Sequence, residues 1–262
     1  MRLAIFSDVH GNLIALEAVL DDIAANGPYD HIIFGGDAGS GGPQVHETIE
    51  RIRNIPGLLA VYGNADERLV RDVDIPDYIL ENPTWLSMWG EVNEWARAHT
   101  TPEDVTYLAS LPYDLRLSPT DNPADDLLIV HASPLGVTRG IYPPEAEQLE
   151  YWGKILQTDD IVRERLAGTT ARNVAFGHLH IPFVRYVDDV MLINFSSVSR
   201  PEIQSDWRAK WTILTFTDGR WQVQHRRVAY DHQAALRACV EARLPFIEEE
   251  AGFLVDLNSR TA

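Results

Sequence analysis

Through the first third of the chain, short apolar runs alternate with stripes spaced for helices. Residues 2–6 form the first run, and Asn12 then caps a stripe of Leu13, Leu16, Val19, Leu20 and Ile23 that Gly27-Pro28 stops. A second run, 32–34, leads into Gly35-Gly36-Asp37, and a second helical stripe of Val45, Ile49 and Ile52 breaks at Pro56-Gly57. Residues 58–62 predict a third strand, ending in Gly63-Asn64. Strands alternating with helices through short loops imply parallel pairing with right-handed crossovers.

Residues 72–122 break this rhythm. They carry Trp85, Trp89 and Trp95 at helical spacing, and ten acidic residues against two basic ones, and they predict a helical insertion or cap. Beyond it, 113–117 and 127–130 predict strands, the second ending at His131. A helical region follows at 144–168, then a short strand 173–176 ending in Gly177-His178-Leu179-His180. Strand-like runs crowd together at 183–187, 190–195, 211–217 and 221–228, the last two joined by Asp218-Gly219, a hairpin signal. A final helix begins near Asp231. The second half thus predicts mainly antiparallel strands, and the whole chain, 1–262, predicts a single domain built as a helix-flanked β-sandwich.

Composition narrows the class without choosing the chemistry. With 22 Lys and Arg against 39 Asp and Glu, the net charge of −17 repels polyanions, so nucleic acid is not the expected partner. A small phosphorylated substrate remains compatible, because bound cations reverse the potential locally. The one cysteine, Cys239, excludes an internal disulfide and a thiolate zinc cluster, and its helical context predicts a small buried residue. No apolar run approaches the roughly 20 residues of a membrane span. The 2–6 strand leads straight into the first polar motif, so a cleaved signal peptide is not expected and the cytoplasm is the expected location.

Residues able to hold metal fall at the ends of strands. Asp8-Val9-His10 follows the first, Asp37 the second, Asn64 the third, and His131 and the His178/His180 pair follow later ones. Loops at the carboxyl edge of a parallel sheet converge on one crevice. The i, i+2 spacing of Asp8 with His10 and of His178 with His180 aims both side chains of each pair the same way along extended backbone. Singly, each piece is as well explained by a turn or a surface histidine. Their order, each after an apolar strand, points to a metal site. His31, His46, His99, His225 and His232 lack that context and read as surface or satisfied polar residues.

This succession of Asp8-x-His10, Gly36-Asp37, Gly63-Asn64, His131 and Gly177-His178-x-His180 resembles the calcineurin-like metallophosphoesterase superfamily. The likeness covers all five of its motifs. The segments 6–12 and 194–198 look most similar to small prokaryotic phosphodiesterases within it. The resemblance implies an α/β (α+β) fold, a four-layer αββα sandwich of two mixed sheets flanked by helices, with 72–122 as its helical insertion. It also implies two divalent metal ions, from Mn, Fe, Zn, Ni or Mg. Asp8, His10 and His180 would hold the first, Asn64, His131 and His178 the second, and Asp37 would bridge them. Asp37, Asn64 and His131 are assigned to catalysis as well as to metal binding. Asn12, Arg139 and Arg200 are candidate substrate contacts, and Arg172 is a further arginine near a motif. The implied reaction is hydrolysis of a phosphodiester of a small substrate by attack of a metal-bridging hydroxide. A phosphomonoesterase is the alternative, and a metal-binding scaffold of the same fold is a more distant one. A homodimer is the expected assembly for a small enzyme of this kind.

One position departs from the pattern. Many superfamily members carry a histidine directly after the metal-binding asparagine, where it protonates the leaving oxygen; here that position is Ala65. Some small phosphodiesterases lack it too. Asp66, another histidine or metal-bound water are the remaining candidates for the acid. Turnover of poorly activated alkyl phosphates should therefore be slow beside aryl or anhydride leaving groups. Equal rates across a series of leaving-group pKa would contradict this.

Overall fold

A computed structural model describes residues 1–75, 77–200 and 206–248. Its first half runs β1 (Arg2–Phe6), α1 (Leu13–Asn26), β2 (His31–Phe34), α2 (Val45–Arg53), β3 (Leu59–Ala60), α3 (Asn64–Val70), α4 (Asp77–Leu80), α5 (Pro83–Ala98) and α6 (Pro102–Ser110). The remainder runs β4 (Asp114–Leu117), β5 (Leu127–Val130), α7 (Glu145–Trp152), α8 (Asp159–Arg165), β6 (Asn173–Phe176), β7 (Phe183–Val187), β8 (Val190–Asn194), β9 (Ala209–Thr217), β10 (Arg220–Val228) and α9 (His232–Glu241).

These strands build two five-stranded sheets, ordered β10-β9-β1-β2-β3 and β4-β5-β6-β8-β7. Alternation along β1 explains how they stack. Leu3 and Ile5 point into an apolar layer shared with Leu127, Ile129, Ala175 and Ile193 of the other sheet. Ala4 and Phe6 point the opposite way, onto Leu16, Val19 and Ile23 of α1 and Ile49 and Ile52 of α2. On the far side, Leu128, Val174 and Leu192 pack with Val162 of α8. Three apolar layers between four structural layers make the αββα sandwich that the sequence motifs implied.

Both sheets are mixed. β1, β2 and β3 run parallel, as do β5, β6 and β8, while β9 joins β1 and β7 joins β8 antiparallel. Asp218 and Gly219 both take positive φ, 51° and 72°, the signature of the tight hairpin between β9 and β10. The late strands do not crowd into one antiparallel block as expected. Their two hairpins separate, β7-β8 into one sheet and β9-β10 into the other, because β9 satisfies the open edge of β1.

Other boundaries also move. β3 is two residues long rather than five, because α3 starts directly at Asn64. The helical region at 144–168 is two helices broken at the left-handed Gly153. Within 72–122 the helices end at Ser110; Leu111-Pro112 then forces extended backbone, and β4 pairs with β5 as an edge strand. The helical stretch packs directly on the core. Ala96 and Leu108 join the core beneath α1 and α2, and His46 of α2 lies 2.7 Å from Asp104 of α6.

Trp211 of β9 ties the outer helix to the sheet: it is fully buried and its Nε1 donates to Asp22 of α1 at 2.9 Å. Trp211→Ala should cost about 3–5 kcal/mol in urea unfolding, the usual range for emptying so large a buried site. A cost under about 1 kcal/mol would show that α1 does not depend on it.

Candidate metal centre

The carboxyl ends of β1, β2, β5, β6 and β8 meet at one rim, and backbone hydrogen bonds stitch their loops together. Asp8 N donates to Gly36 O at 2.9 Å, Gly177 N to His131 O at 2.8 Å, and Phe195 N to Phe176 O at 2.8 Å. The turns are tight. Asp8, His10, Asp37, His178 and His180 all have φ between 49° and 66°, a region that Asp and His enter only when surroundings dictate it. Two glycines are required by close approach: a Cβ on Gly63 would overlap Asp37 Oδ1, and one on Gly177 would overlap Asp8 Oδ2.

All seven residues expected to ligate metal are brought together. Asp8, His10 and His180 offer ligand atoms within 4.8 Å of one another, and so do Asp8, Asp37 and His131. His180 Nε2 lies 3.1 Å from Asp8 Oδ1 and 3.3 Å from His10 Nε2. The Asn64 amide lies 3.0 Å from His131 Nε2 and 2.7 Å from His178 Nδ1. His10 Nδ1 is 3.0 Å from Ser40 O, and His131 Nδ1 is 2.9 Å from Gly35 O. A carbonyl only accepts, so Nδ1 carries a hydrogen in both rings and Nε2 is the atom left to face a cation. Nitrogen and carboxylate oxygen without thiolate suit borderline to hard divalent cations.

Charge in the metal-free cluster is divided unevenly. Burial pushes His10 down to about 3, helped by the Arg200 charge, and pushes His178 down to about 4, helped by His131. Both are neutral donors at any ordinary pH. Burial also acts to lower His131, but Asp37 and Asp8 outweigh it and raise this imidazole to about 10. Asp37, despite its burial, is held well below the carboxylate range by His131, with smaller help from His10 and Arg68. The Asn64 amide is similarly poised. Its inner atom faces two histidine nitrogens and its outer atom faces Ala65 N and Arg68 Nη1. Neutral His178 prefers the NH2 inward, whereas a protonated His131 and a bound cation both require the oxygen there.

Supporting groups fix the turns. Asp66 is fully buried and accepts from the backbone N–H of Asp37, Ala38 and Gly63 at 2.7–2.8 Å. Burial and Asp37 push its pKa up to about 6 against those three donors. It is thereby committed to shaping two candidate ligand loops, and its full burial and three backbone donors argue against its candidacy as the acid. Ser7 Oγ donates to Asp8 Oδ2 at 2.6 Å, and Asn194 Nδ2 donates to Gly177 O at 2.7 Å.

The candidate substrate contacts are scattered. Asn12 is buried, its Oδ1 capping α1 through Ala15 N and its Nδ2 directed at Ser199. Arg200 borders the centre, with Nη2 donating to Gly41 O at 2.8 Å. Arg139 is exposed in the loop after His131. Arg172 is exposed at the start of β6, a strand length from the rim. Cys239 is buried and free, as expected. The five remaining histidines lie outside the cluster; His225, for example, bonds Thr212. Arg68 was not anticipated, and its signal is faint: four residues after Asn64, it gains meaning only once α3 is known to begin there.

Residues 1–218 match the calcineurin-like phosphoesterase superfamily domain, and the chain belongs to that superfamily. It is a metal-dependent phosphoric ester hydrolase that uses divalent metal ions. An uncharacterized protein of Methanocaldococcus jannaschii is 26% identical over 261 residues, covering 93% of each chain. The crystal structure of a metallophosphoesterase from Sphaerobacter thermophilus is 25% identical, with a TM-score of 0.69 over 97% of this chain and 99% of that one. A hypothetical protein from Pyrococcus horikoshii shares the fold at 17% identity, with a TM-score of 0.73 over 97% of both. Among the described residues no helix is long and apolar enough to cross a membrane.

The raised pKa of His131 has a measurable consequence. A ligating imidazole must be neutral, so loading metal near neutral pH should expel the His131 proton, and affinity should rise with pH until about 10. Calorimetric loading with Mn²⁺ in buffers of different ionisation enthalpy should register release of about one proton. Loading without proton release near pH 7 would contradict the charge distribution.

Proposed function

We propose that the chain hydrolyses phosphodiesters of a small substrate at a binuclear centre. Asp8, His10 and His180 hold one ion, Asn64, His131 and His178 the other, and Asp37 lies between them. The observation that carries this is the position of Asp37 Oδ2, 3.7 Å from His10 Nε2 on one side and 3.5 Å from His131 Nε2 on the other. Asp8 Oδ1 is also near both, at 3.9 and 4.0 Å, and its 3.1 Å approach to His180 supports its place beside the first ion.

When bound, the pair of ions supplies a water activated near neutral pH and a clamp for phosphoryl oxygens. The chain's own groups orient that chemistry. Ser40 O and Gly35 O fix the rings of His10 and His131, and Asp66 fixes the loops of Asp37 and Asn64. Catalytic assignment of Asp37, Asn64 and His131 follows from their place at the second ion. No side chain is needed as a nucleophile.

A diester is favoured over a monoester by the clefts that flank the Asn64–His178 contact. One of about 370 Å³ opens beside Asn64, and another of about 190 Å³ opens beside His178, lined by Tyr142, Trp152 and Leu179. Two clefts suit the two organic arms of a diester. The cores shared by α5, α6 and the first sheet support a single domain. A cytoplasmic homodimer and manganese as a working metal complete the proposal.

Stripped protein reconstituted with Mn²⁺ and assayed on paired aryl mono- and diesters provides the test. The diester should be cleaved with the higher kcat/KM, chelator should abolish turnover, and Asp37→Ala should lower it by at least about 10³-fold. Monoester cleavage with the diester untouched would overturn the substrate assignment. Full activity in Asp37→Ala would overturn the bridging role.

A further inference from the structure

The cleft beside Asn64 lies between α3 and α5; Arg68, Arg71 and Trp89 line it together with the carboxylates of Glu67, Asp72 and Asp74, of which Glu67 is paired with Arg71 and Asp72 with Arg97. Arg68 follows Asn64 by four residues in α3, so the two side chains leave the same helix face. Its guanidinium is held from the α5 side. The Cζ atom sits 4.5 Å from the Trp89 ring centroid, and Nε donates to Asn93 Oδ1 at 3.1 Å. Asn93 is itself oriented, because its Nδ2 donates to Trp89 O at 2.7 Å and leaves Oδ1 facing Arg68. On the inner side Nη1 lies 2.8 Å from the outer atom of the Asn64 amide, an NH2 group whenever the oxygen faces a cation, so Trp89 and Asn93 supply the bracing. A long side chain braced in this way loses little freedom on meeting a ligand.

Charge and chemistry identify the ligand. Asp8 and Asp37 bring two negative charges to a centre for two divalent cations, and a guanidinium at its edge adds to the positive excess. Phosphate is the anion that relieves it, and the planar fork of N–H donors matches phosphoryl oxygens. Ala65 offers no proton, so charge building on those oxygens must be met by donors that keep theirs, which an arginine does at any working pH.

We infer that Arg68, braced by Trp89 and Asn93, is a catalytic residue that binds the substrate phosphate at the mouth of this cleft. The inference rests on the phosphoesterase function proposed above.

Titration calorimetry of inorganic phosphate into Mn²⁺-loaded wild type, Arg68→Met, Arg68→Lys and Asn93→Ala tests it, with metal content by elemental analysis. All four should retain two ions. Phosphate Kd should rise about 10–100-fold in Arg68→Met, partly recover in Arg68→Lys, and rise several-fold in Asn93→Ala. The exposed Arg220→Met, on the far edge strand of the first sheet, should bind phosphate as wild type does. Wild-type phosphate affinity in Arg68→Met overturns the inference. So does loss of an ion from that variant, which would make Arg68 a support for Asn64. Should Arg68→Met fail to fold, Asn93→Ala decides, and an unchanged Kd there is equally negative. Weakened phosphate binding in a family of proteins that cleave no ester would keep Arg68 and remove the phosphoesterase function. Normal phosphate binding with normal hydrolysis in Arg68→Met would do the reverse.

Discussion

Seven polar side chains converge where the parallel strands of two sheets end, and most of them turn lone pairs or negative charge towards one another. Asp8, Asp37 and His131 are buried, so water cannot relieve the repulsion. Cations can. Without them the cluster compromises, keeping a proton on His131 beside Asp37 and leaving the Asn64 amide drawn two ways. The fold holds its ligand atoms together in advance of binding, and metal binding returns the free energy of doing so.

What holds them is a layer of groups that never meet the substrate. Five of the seven occupy left-handed backbone, a conformation that persists only where the surroundings over-determine it. Asp66 ties the second and third ligand loops through three N–H groups, and Ser197 Oγ accepts from Arg200 N while donating to Asp8 O. Beneath them the sandwich layer of Leu3, Ile5, Ile129 and Ile193 keeps the two sheets in register, so loops from both reach one rim. Precision at the centre and burial in the core are parts of one construction.

The candidate ligands were legible in the sequence because each follows an apolar run and four of them, His10, Asp37, Asn64 and His178, adjoin a glycine, signals that survive without tertiary information. Asp37 after Gly36 and His178 after Gly177 are the clearest cases. The sandwich was legible for a similar reason, since the unbroken apolar runs of β1 and β5 mark strands buried on both faces. Less visible was whatever depended on packing between distant elements. Gly63-Asn64 reads as a turn but begins α3, which shortens β3 and brings Arg68 round to the Asn64 face. Asp66 reads as a spare acid beside Ala65, yet its carboxylate is consumed by backbone donors from another loop. The hairpins β7-β8 and β9-β10 look alike along the chain, and only the open edge of β1 sends them to different sheets.

The central claim is that these residues form one centre for two ions with Asp37 between them. Anomalous diffraction at the manganese edge from Mn²⁺-loaded crystals addresses it most directly. The account predicts two peaks roughly 3.5–4 Å apart, with Asp37 Oδ2 touching both and Asn64 turned so that its oxygen, not its nitrogen, meets the second. A single peak, or two ions with the Asn64 nitrogen facing His131 and His178, would contradict it.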